Sequence, residues 1–208
     1  MEQKSIFQKV ADPVTPENSI LLLIDHQSGL MGGVGTTDPH LLRDNLVGAV
    51  KAAKILGVPV ILTEVTPNLW GPFIPDVTSI DPDIKVISRT IINAWDDPQV
   101  RTAIEQTGRK KVLIGAITTN VCLAFPAVSL TAAGYEVHAL MDLSGTYNEL
   151  LEKSALEYLK QGGVVISSAY TAFCQMIYDN ARPVANEVYA ALDGSPWRYT
   201  FQALLSKK

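Results

Sequence analysis

The feature that most constrains the fold is a pattern that occurs four times along the sequence. Each time, a helical pattern ends at a glycine and an apolar strand pattern begins within three residues. The four glycines are Gly57, Gly108, Gly134 and Gly162. Glycine commonly ends helices because it adopts the left-handed conformation at no steric cost. Short helix-to-strand connections of this kind are typical of β/α alternation, so we predict a single doubly wound, three-layer α/β/α domain with a mostly parallel sheet of about six strands.

The apolar segments are continuously hydrophobic rather than alternating, which indicates strands that are covered on both faces. We predict strands at residues 19–25, 58–63, 84–88, 112–117, 135–142 and 164–167. Asp38-Pro39 and Asp97-Pro98 are predicted to begin helices, since aspartate caps a helix and proline suits its first position. Further helices are expected after Asn120 and over residues 149–161 and 169–182.

The remaining segments are less regular. Residues 1–18 are predicted to form a loose arm, and residues 64–83 a long, proline-rich loop with a functional role. We treat residues 1–208 as one domain with its core at 19–182. The tail at 183–208, with short amphipathic pieces at 188–192 and 201–205, is expected to pack or to make oligomer contacts.

Composition excludes several classes of function. The 208 residues are 47% hydrophobic and 18% charged, with a net charge of −4, so no basic patch for nucleic acid is expected. No apolar stretch approaches the ~20 residues of a membrane-spanning helix. The first residues also lack the apolar segment of a secretory signal. Cys122 and Cys174 lie far apart without metal-ligand spacing, which favours a reduced, cytoplasmic location.

Several polar residues fall at the predicted carboxyl ends of strands, where open α/β sheets bind their ligands. They are Asp25, Glu64, Arg89, the turn at 118–122 and Asp142. Three of them form a chemical set, because Cys122 supplies a thiol, Asp25 a carboxylate and Arg89 a permanent cation. Asp25 could take the thiol proton and later return it to a leaving group. Arg89 could stabilise negative charge or orient Asp25, and N–H groups of the 118–122 turn could bind an oxyanion.

The position of Cys122 supports a nucleophilic role. If Asn120 caps the following helix, Cys122 lies in the first turn, where free N–H groups and the helix dipole favour a thiolate. The alternative is that Cys122 only fills the core, as free cysteines commonly do.

Structural interpretations also exist for the charged residues. Asp25 could be a loop residue satisfied by backbone groups. Arg89 could be a surface residue or a partner of Asp83 or Asp142. We expect Asp142 to organise the turn at 143–146 rather than to perform chemistry.

Histidine is not required by this chemistry. We expect His26 to face away from Asp25, and His40 and His138 to occupy surface positions. Cys174 is expected to pack within a helix. Candidate substrate contacts are Glu64, Trp70, Asn93, Trp95 and Phe125, although packing is the favoured role for the three aromatic residues.

The chain resembles the isochorismatase-like cysteine hydrolase superfamily, and within it the YcaC-related hydrolases. The matching stretches lie at residues 22–30, 88–96, 108–115, 118–127 and 142–145, in the right order. The resemblance implies a catalytic triad of Cys122, Asp25 and Arg89, with arginine at a place where much of the superfamily has lysine. It also implies a cis peptide between Ile117 and Thr118, and a multimeric assembly.

One departure from the superfamily bears on metal binding. Nicotinamidases bind a metal through an aspartate and two histidines after the second strand, whereas residues 63–75 of this chain contain no histidine. We therefore expect no catalytic metal, and no other cofactor is implied.

The main hypothesis is a cysteine-dependent hydrolase that cleaves a small amide or carbamoyl substrate through a thioester. A second hypothesis is a catalytically weak or inactive oligomeric binding protein on the same fold. A third is a dinucleotide-binding protein, suggested by Gly33-Val-Gly35 but opposed by the charge of Asp38 at the helix start.

Overall fold

The computed structural model describes residues 4–192, and its framework is a six-stranded parallel sheet. The strands are β1 (Ser19–Ile24), β2 (Val60–Val65), β3 (Val86–Arg89), β4 (Lys111–Ala116), β5 (Glu136–Leu140) and β6 (Val165–Ser167). Their order across the sheet is β3-β2-β1-β4-β5-β6, and every neighbouring pair is parallel. The predicted α/β class and doubly wound sheet are confirmed.

Helices connect the strands and cover the sheet. They are α1 (Ile6–Ala11), α2 (Ser28–Met31), α3 (Pro39–Ile55), α4 (Pro67–Trp70), α5 (Pro75–Thr78), α6 (Pro98–Gln106), α7 (Ala124–Ala132), α8 (Glu149–Gln161), α9 (Ala169–Ile177) and α10 (Val184–Ala191). The two Asp-Pro predictions are confirmed, because the carboxylates of Asp38 and Asp97 accept hydrogen bonds from backbone N–H groups in the first turns of α3 and α6. Within residues 4–192, no helix combines the length and apolar character needed to span a bilayer.

The central strand β1 shows how the sequence builds two cores. Its side chains alternate between the faces of the sheet, as they must in a strand. Leu21 and Leu23 pack in the core that also contains residues of α3, α9 and α10. Ile20, Leu22 and Ile24 pack in the opposite core with residues of α6 and α7. Both faces are therefore covered, which accounts for the continuous hydrophobicity of β1.

Strand order reverses at the centre of the sheet. β2 and β3 lie on one side of β1, whereas β4, β5 and β6 lie on the other. Ile24 and Ala116 are register partners at the ends of β1 and β4, so the chain leaves both strands at the same edge. This edge is the crevice in which ligands of doubly wound sheets bind.

Three local predictions are corrected. The loose arm contains α1, whose start is fixed by a capping box between Ser5 and Gln8. The long loop at 64–83 holds the two short helices α4 and α5. His138 is buried on β5 rather than exposed, because β5 is covered on both faces and its five residues are all buried.

The C-terminal prediction is corrected in part. α9 ends at Ile177, where Tyr178 adopts a positive φ of 63°, rather than at residue 182. The tail contributes α10, which packs closely on α3 at Gly48. The amphipathic piece predicted at 201–205 lies outside the described residues.

Candidate active site

Three side chains from separate strands meet at the reversal in strand order. Asp25 follows β1 directly, Arg89 is the last residue of β3, and Cys122 lies in the turn after β4. All three are buried, with relative exposures of 0% for Asp25, 4% for Arg89 and 8% for Cys122. Arg89 lies two strands from Asp25 and reaches it with its long side chain. The fold thus brings together the predicted thiol, carboxylate and cation.

Asp25 and Arg89 form an ion pair that is closed to solvent. Nη2 of Arg89 lies 2.6 Å from Oδ2 of Asp25, and both side chains are fully buried. Nη1 of Arg89 donates to the carbonyl oxygens of Ile91 and Ile92, which hold the guanidinium in place. The interpretations of Arg89 as a surface residue or as a partner of Asp83 or Asp142 are therefore wrong.

The second oxygen of the Asp25 carboxylate is left available. Among the described residues, Oδ1 of Asp25 has no hydrogen-bond partner of regular geometry. The chain turns sharply here, since Asp25 has a positive φ of 62°, a conformation that aspartate adopts more readily than most residues. One oxygen of Asp25 is thus fixed by Arg89 while the other can accept a proton.

Burial governs the protonation of this pair. Burial raises the pKa of Asp25 to about 6, against the opposing effects of Arg89 and of the Cys122 thiol. Burial and the negative charge of Asp25 raise the pKa of Cys122 above its ordinary value. The backbone of the turn does favour the thiolate, as expected, but desolvation and the adjacent carboxylate outweigh this effect. The resting pair is a neutral thiol beside a carboxylate that ionises near neutral pH.

The turn that carries Cys122 differs from the predicted helix start. Residues Thr119–Leu123 form one π-helical turn before α7, and a cis peptide joins Ile117 to Thr118. Asn120 is not the helix cap, because it lies inside this turn and its side-chain oxygen accepts a 2.7 Å hydrogen bond from Thr146 Oγ1. The cis peptide that the resemblance implied is present.

One backbone donor affects the ionisation of Cys122. The backbone N–H of Thr118 interacts with the thiol and lowers the pKa of Cys122, opposing the larger effect of burial. Within residues 4–192 no carbonyl oxygen accepts a hydrogen bond from this N–H, whereas the next one, from Thr119, donates to Gly145 at 3.0 Å. The Thr118 N–H is therefore free to stabilise negative charge that develops next to the sulfur.

The loop after β5 supports the Cys122 turn, and sequence reasoning missed most of this support. Ser144 Oγ accepts from the Ala116 N–H at 3.1 Å. Gly115 allows close approach, since a Cβ atom there would lie 2.8 Å from the carbonyl oxygen of Leu143. Thr146 anchors Asn120, as described above. A signal was available, because the matching stretch at 142–145 pointed to this loop.

Polar side chains around Asp25 also have structural roles. Gln27 is buried and hydrogen-bonds to Val65 and to the carbonyl of Gly71, which fixes the loop after β2. Nε2 of His26 donates to the carbonyl oxygen of Leu143 at 2.9 Å. Burial lowers the pKa of His26 to about 4, so the ring is neutral. Neither residue was predicted to have this role.

Asp142 lies apart from the chemistry, but its role differs from the predicted one. Its carboxylate accepts from the backbone N–H groups of Ala169 and Tyr170 at the start of α9. It therefore fixes a helix start rather than the turn at 143–146. Burial raises the pKa of Asp142.

The five candidate substrate contacts divide into two groups. Glu64 accepts from the Phe73 N–H and the Ser88 hydroxyl, so its carboxylate is used within the protein. Asn93 donates to Asp96 and Ser129. Trp95 packs edge-on against Tyr135 at the amino end of β5, beneath the guanidinium of Arg101. Trp70 and Phe125 remain partly exposed, at 38% and 40%. The contacts of Glu64, Asn93 and Trp95 are structural, whereas Trp70 and Phe125 stay available.

The dinucleotide hypothesis is not supported by the glycine turn. The helix α2 separates β1 from Gly33-Val-Gly35, so the turn does not connect the strand directly to α3. A Cβ on Gly35 would lie 2.4 Å from the carbonyl oxygen of Tyr147, and one on Gly33 would touch its ring. Because Tyr147 fills this space, the turn offers no cradle for a pyrophosphate. Among the residues with assigned structure, no three His, Cys, Asp or Glu side chains are grouped to hold a metal ion.

Comparison with known proteins identifies the family. The model of the isochorismatase domain matches residues 19–170, which is most of the chain. The chain belongs to the isochorismatase family. Among curated relatives in this family, "Probable hydrolase YcaC" of Escherichia coli is 36% identical over 166 residues, covering 78% of this chain and 79% of that protein.

Solved structures agree with this assignment. YcaC of Pseudomonas aeruginosa, described with hexane-2,5-diol and covalent acrylamide, superposes with a TM-score of 0.88 at 26% identity and covers 95% of this chain and 98% of that one. E. coli YcaC, described as an octameric hydrolase of unknown specificity, gives 0.88 at 29% identity and covers 94% and 98%. The chain is thus an isochorismatase-family protein similar to the YcaC hydrolases.

Proposed function

We propose that this protein is a cysteine-dependent hydrolase that cleaves a small amide or carbamoyl substrate through a thioester. The observation that carries the proposal is the Asp25 carboxylate, which interacts with the Cys122 thiol while Arg89 holds Oδ2 and Oδ1 has no regular hydrogen bond. A buried carboxylate with a pKa of about 6 is well matched to general base catalysis near neutral pH.

The first half of the reaction forms the thioester. Oδ1 of Asp25 takes the thiol proton as the Cys122 sulfur attacks the carbonyl carbon, so the charge moves onto the carbonyl oxygen. The N–H groups of Thr118 and Cys122 are the proposed donors to this oxyanion. When the tetrahedral intermediate collapses, the C–N bond breaks and Asp25 returns the proton to the departing nitrogen.

The second half releases the acid. A water molecule attacks the thioester while Asp25 takes one of its protons, and the C–S bond breaks to give a carboxylic or carbamic acid. The proton on Asp25 then restores the thiol. Arg89 cannot exchange a proton at these pH values, so it acts by holding and charging Asp25.

Exposed apolar side chains support the proposed substrate class. Trp70 and Phe125 stay partly exposed, and Ile91 and Ile92, whose carbonyls hold Arg89, expose 41% and 60% of their surface. If these side chains contact the substrate, they favour a small, partly apolar ligand. The small amide and the diol described with P. aeruginosa YcaC are molecules of this size, which supports the proposal.

The test is an ammonia-release screen over small amides and carbamoyl compounds. Wild type should turn over at least one compound, and acid-quenched samples should show a mass increase equal to the acyl group. Cys122→Ala should abolish both signals, whereas Cys174→Ala is the matched control and should retain them. Turnover that survives in Cys122→Ala would contradict the nucleophile assignment.

The same screen separates the binding-protein hypothesis. An inactive binding protein would bind compounds without turnover or acyl adduct, and iodoacetamide would label Cys122 and Cys174 equally slowly near pH 7. A competent site predicts faster labelling at Cys122, because Asp25 takes the proton as the sulfur reacts.

We also propose that the protein is a cytoplasmic homo-oligomer. Both cysteines are free, which fits a reducing compartment. The octameric state described for E. coli YcaC supports an assembly of identical chains.

A further inference from the structure

A cavity of about 510 Å³ lies at the amino-terminal edge of the sheet, away from the catalytic residues. Residues that lead into β1, β4 and β5 form its walls, together with α1. The volume is in the range of small-molecule sites. The charged residues that line it are Lys4, Lys9, Asp12, Lys110, Lys111 and Glu136.

The cavity carries an excess of positive charge. Four lysines face two carboxylates, in a chain whose net charge is −4. Lys4 and Lys111 each form ion pairs with both Asp12 and Glu136, so these carboxylates are already occupied. His138 also contacts Glu136, but burial lowers the pKa of His138 and keeps it neutral.

The other two lysines form no direct ion pair with a carboxylate of residues 4–192. Nζ of Lys9 donates to the carbonyl oxygen of Gly163 at 2.8 Å, and Nζ of Lys110 lies 4.8 Å from the ring centroid of Tyr135. Lys9 is only 4% exposed. Burial lowers the pKa of Lys9, although the charge of Glu136 opposes this effect from a longer distance. Burying an ammonium group without a direct ion pair is costly, so a further anion in the cavity would stabilise the charged form of Lys9.

The orientation of α1 is further evidence that its polar face lines the cavity. The helix turns Lys9 toward the protein and leaves Ile6, Phe7 and Val10 at 51%, 79% and 58% exposure. This is the reverse of the usual arrangement, in which a surface helix buries its apolar face. The polar face of α1 is therefore the one that lines the cavity.

We propose that this cavity binds a small dianion, a phosphate monoester or a dicarboxylate, between Lys9 and Lys110. The two lysines outside the ion pairs could each pair with one of the two negative charges of the dianion. The site is independent of the hydrolase chemistry, since it lies at the opposite edge of the sheet.

The test is a calorimetric titration of the full-length protein with inorganic phosphate and, separately, with succinate. Ionic strength is held constant with sodium chloride. We expect saturable binding of at least one of the two, near one per chain. Phosphate binding indicates a phosphate monoester, and succinate binding a dicarboxylate. If neither anion binds above the chloride background, the proposal is wrong.

Variants locate the site. Lys9→Met keeps the length of the side chain, and the lost charged hydrogen bond should weaken binding roughly tenfold or more. Lys51→Met, on the exposed surface of α3, is the control and should bind as wild type does. Lys110→Ala changes an exposed lysine and serves if Lys9→Met does not fold. Unchanged affinity in Lys110→Ala, or in a folded Lys9→Met, would overturn the assignment.

Discussion

At the scale of single residues, Asp25 is set between two opposing influences. Burial favours its neutral form, whereas Arg89 favours its charged form, and the result is a pKa of about 6. Activity in the proposed mechanism needs the ionised carboxylate. The rate should therefore depend on the balance between these two influences.

We predict that kcat/KM falls as the pH drops below about 6, because Asp25 then gains a proton before the thiol can deliver one. Arg89→Met removes the charge that lowers the pKa of Asp25, so the acidic limb of the kcat/KM profile should move to higher pH.

Arg89→Lys keeps the charge but cannot reach Asp25 and the two carbonyl oxygens together. We expect kcat/KM to fall roughly tenfold or more. Rate–pH profiles of the three proteins measure both effects.

Arg43→Met is the matched control for these variants. Arg43 pairs with Asp44 on the surface, with 40% of its side chain exposed, and its loss should leave the profile unchanged. An acidic limb that stays in place in Arg89→Met would show that Asp25 is not the titrating base.

At the scale of elements, the turn at Thr119–Leu123 depends on the loop after β5. We predict that Thr146→Val lowers kcat while leaving KM nearly unchanged, because the hydroxyl of Thr146 holds Asn120 inside the turn. The free energy of unfolding should fall by about 1 kcal/mol, the usual loss for one hydrogen bond. Steady-state kinetics and urea unfolding measure the two effects.

Thr107→Val is the control for this variant. It removes a hydrogen bond of similar length, from Thr107 Oγ1 to the carbonyl of Ile104, together with a longer one that this oxygen accepts from the Arg109 N–H. A comparable loss of stability without a loss of kcat is expected there. Equal effects on kcat in both variants would argue against a positioning role for Thr146.

The contact between β4 and the same loop gives a prediction about stability. In Gly115→Ala the added methyl group would lie 2.7 Å from Cβ of Leu143, so β4 and the loop must separate. We expect a loss of about 1–3 kcal/mol, as for other overpacked core positions. Gly32→Ala is the control, since its nearest atoms are 3.7 Å away, and it should be almost neutral. Urea unfolding of both proteins tests the comparison.

The elements that sequence reasoning predicted correctly are those set by local chemistry. Asp38 and Asp97 predict the starts of their helices, because aspartate capping and the following proline act within the first turn. The turn around Asn120 was mispredicted because Thr146, 26 residues away in sequence, supplies its partner. Trp95 packs as favoured, but the sequence could not name its partner, since only tertiary packing brings Tyr135 to its ring.

The site shows the same division between local and tertiary information. The positions of Asp25, Arg89 and Cys122 followed from strand ends, which a sequence pattern reveals. Their pKa values did not, because burial is a property of the assembled fold. The helix start near Cys122 suggested a thiolate, whereas desolvation in the folded protein keeps the thiol protonated.

At the scale of the whole molecule, we predict an assembly of several chains. The outward side chains of α1 and the octameric state described for E. coli YcaC both favour burial of further surface. Light scattering should give a mass that is a multiple of 22.6 kDa at micromolar concentration. A mass equal to one chain would contradict the oligomer proposal without affecting the proposed chemistry.

Because only one oxygen of Asp25 is available for proton transfer, the site need not be selective for water as the acyl acceptor. Because Arg89 holds Oδ2, Oδ1 alone must first give a proton to the departing amine and then take one from the incoming water. The thioester on Cys122 therefore persists at least until the amine has left the site. During that interval any small nucleophile that enters in place of water could receive the acyl group, so the proposed reaction carries with it a latent transferase activity toward amines and alcohols.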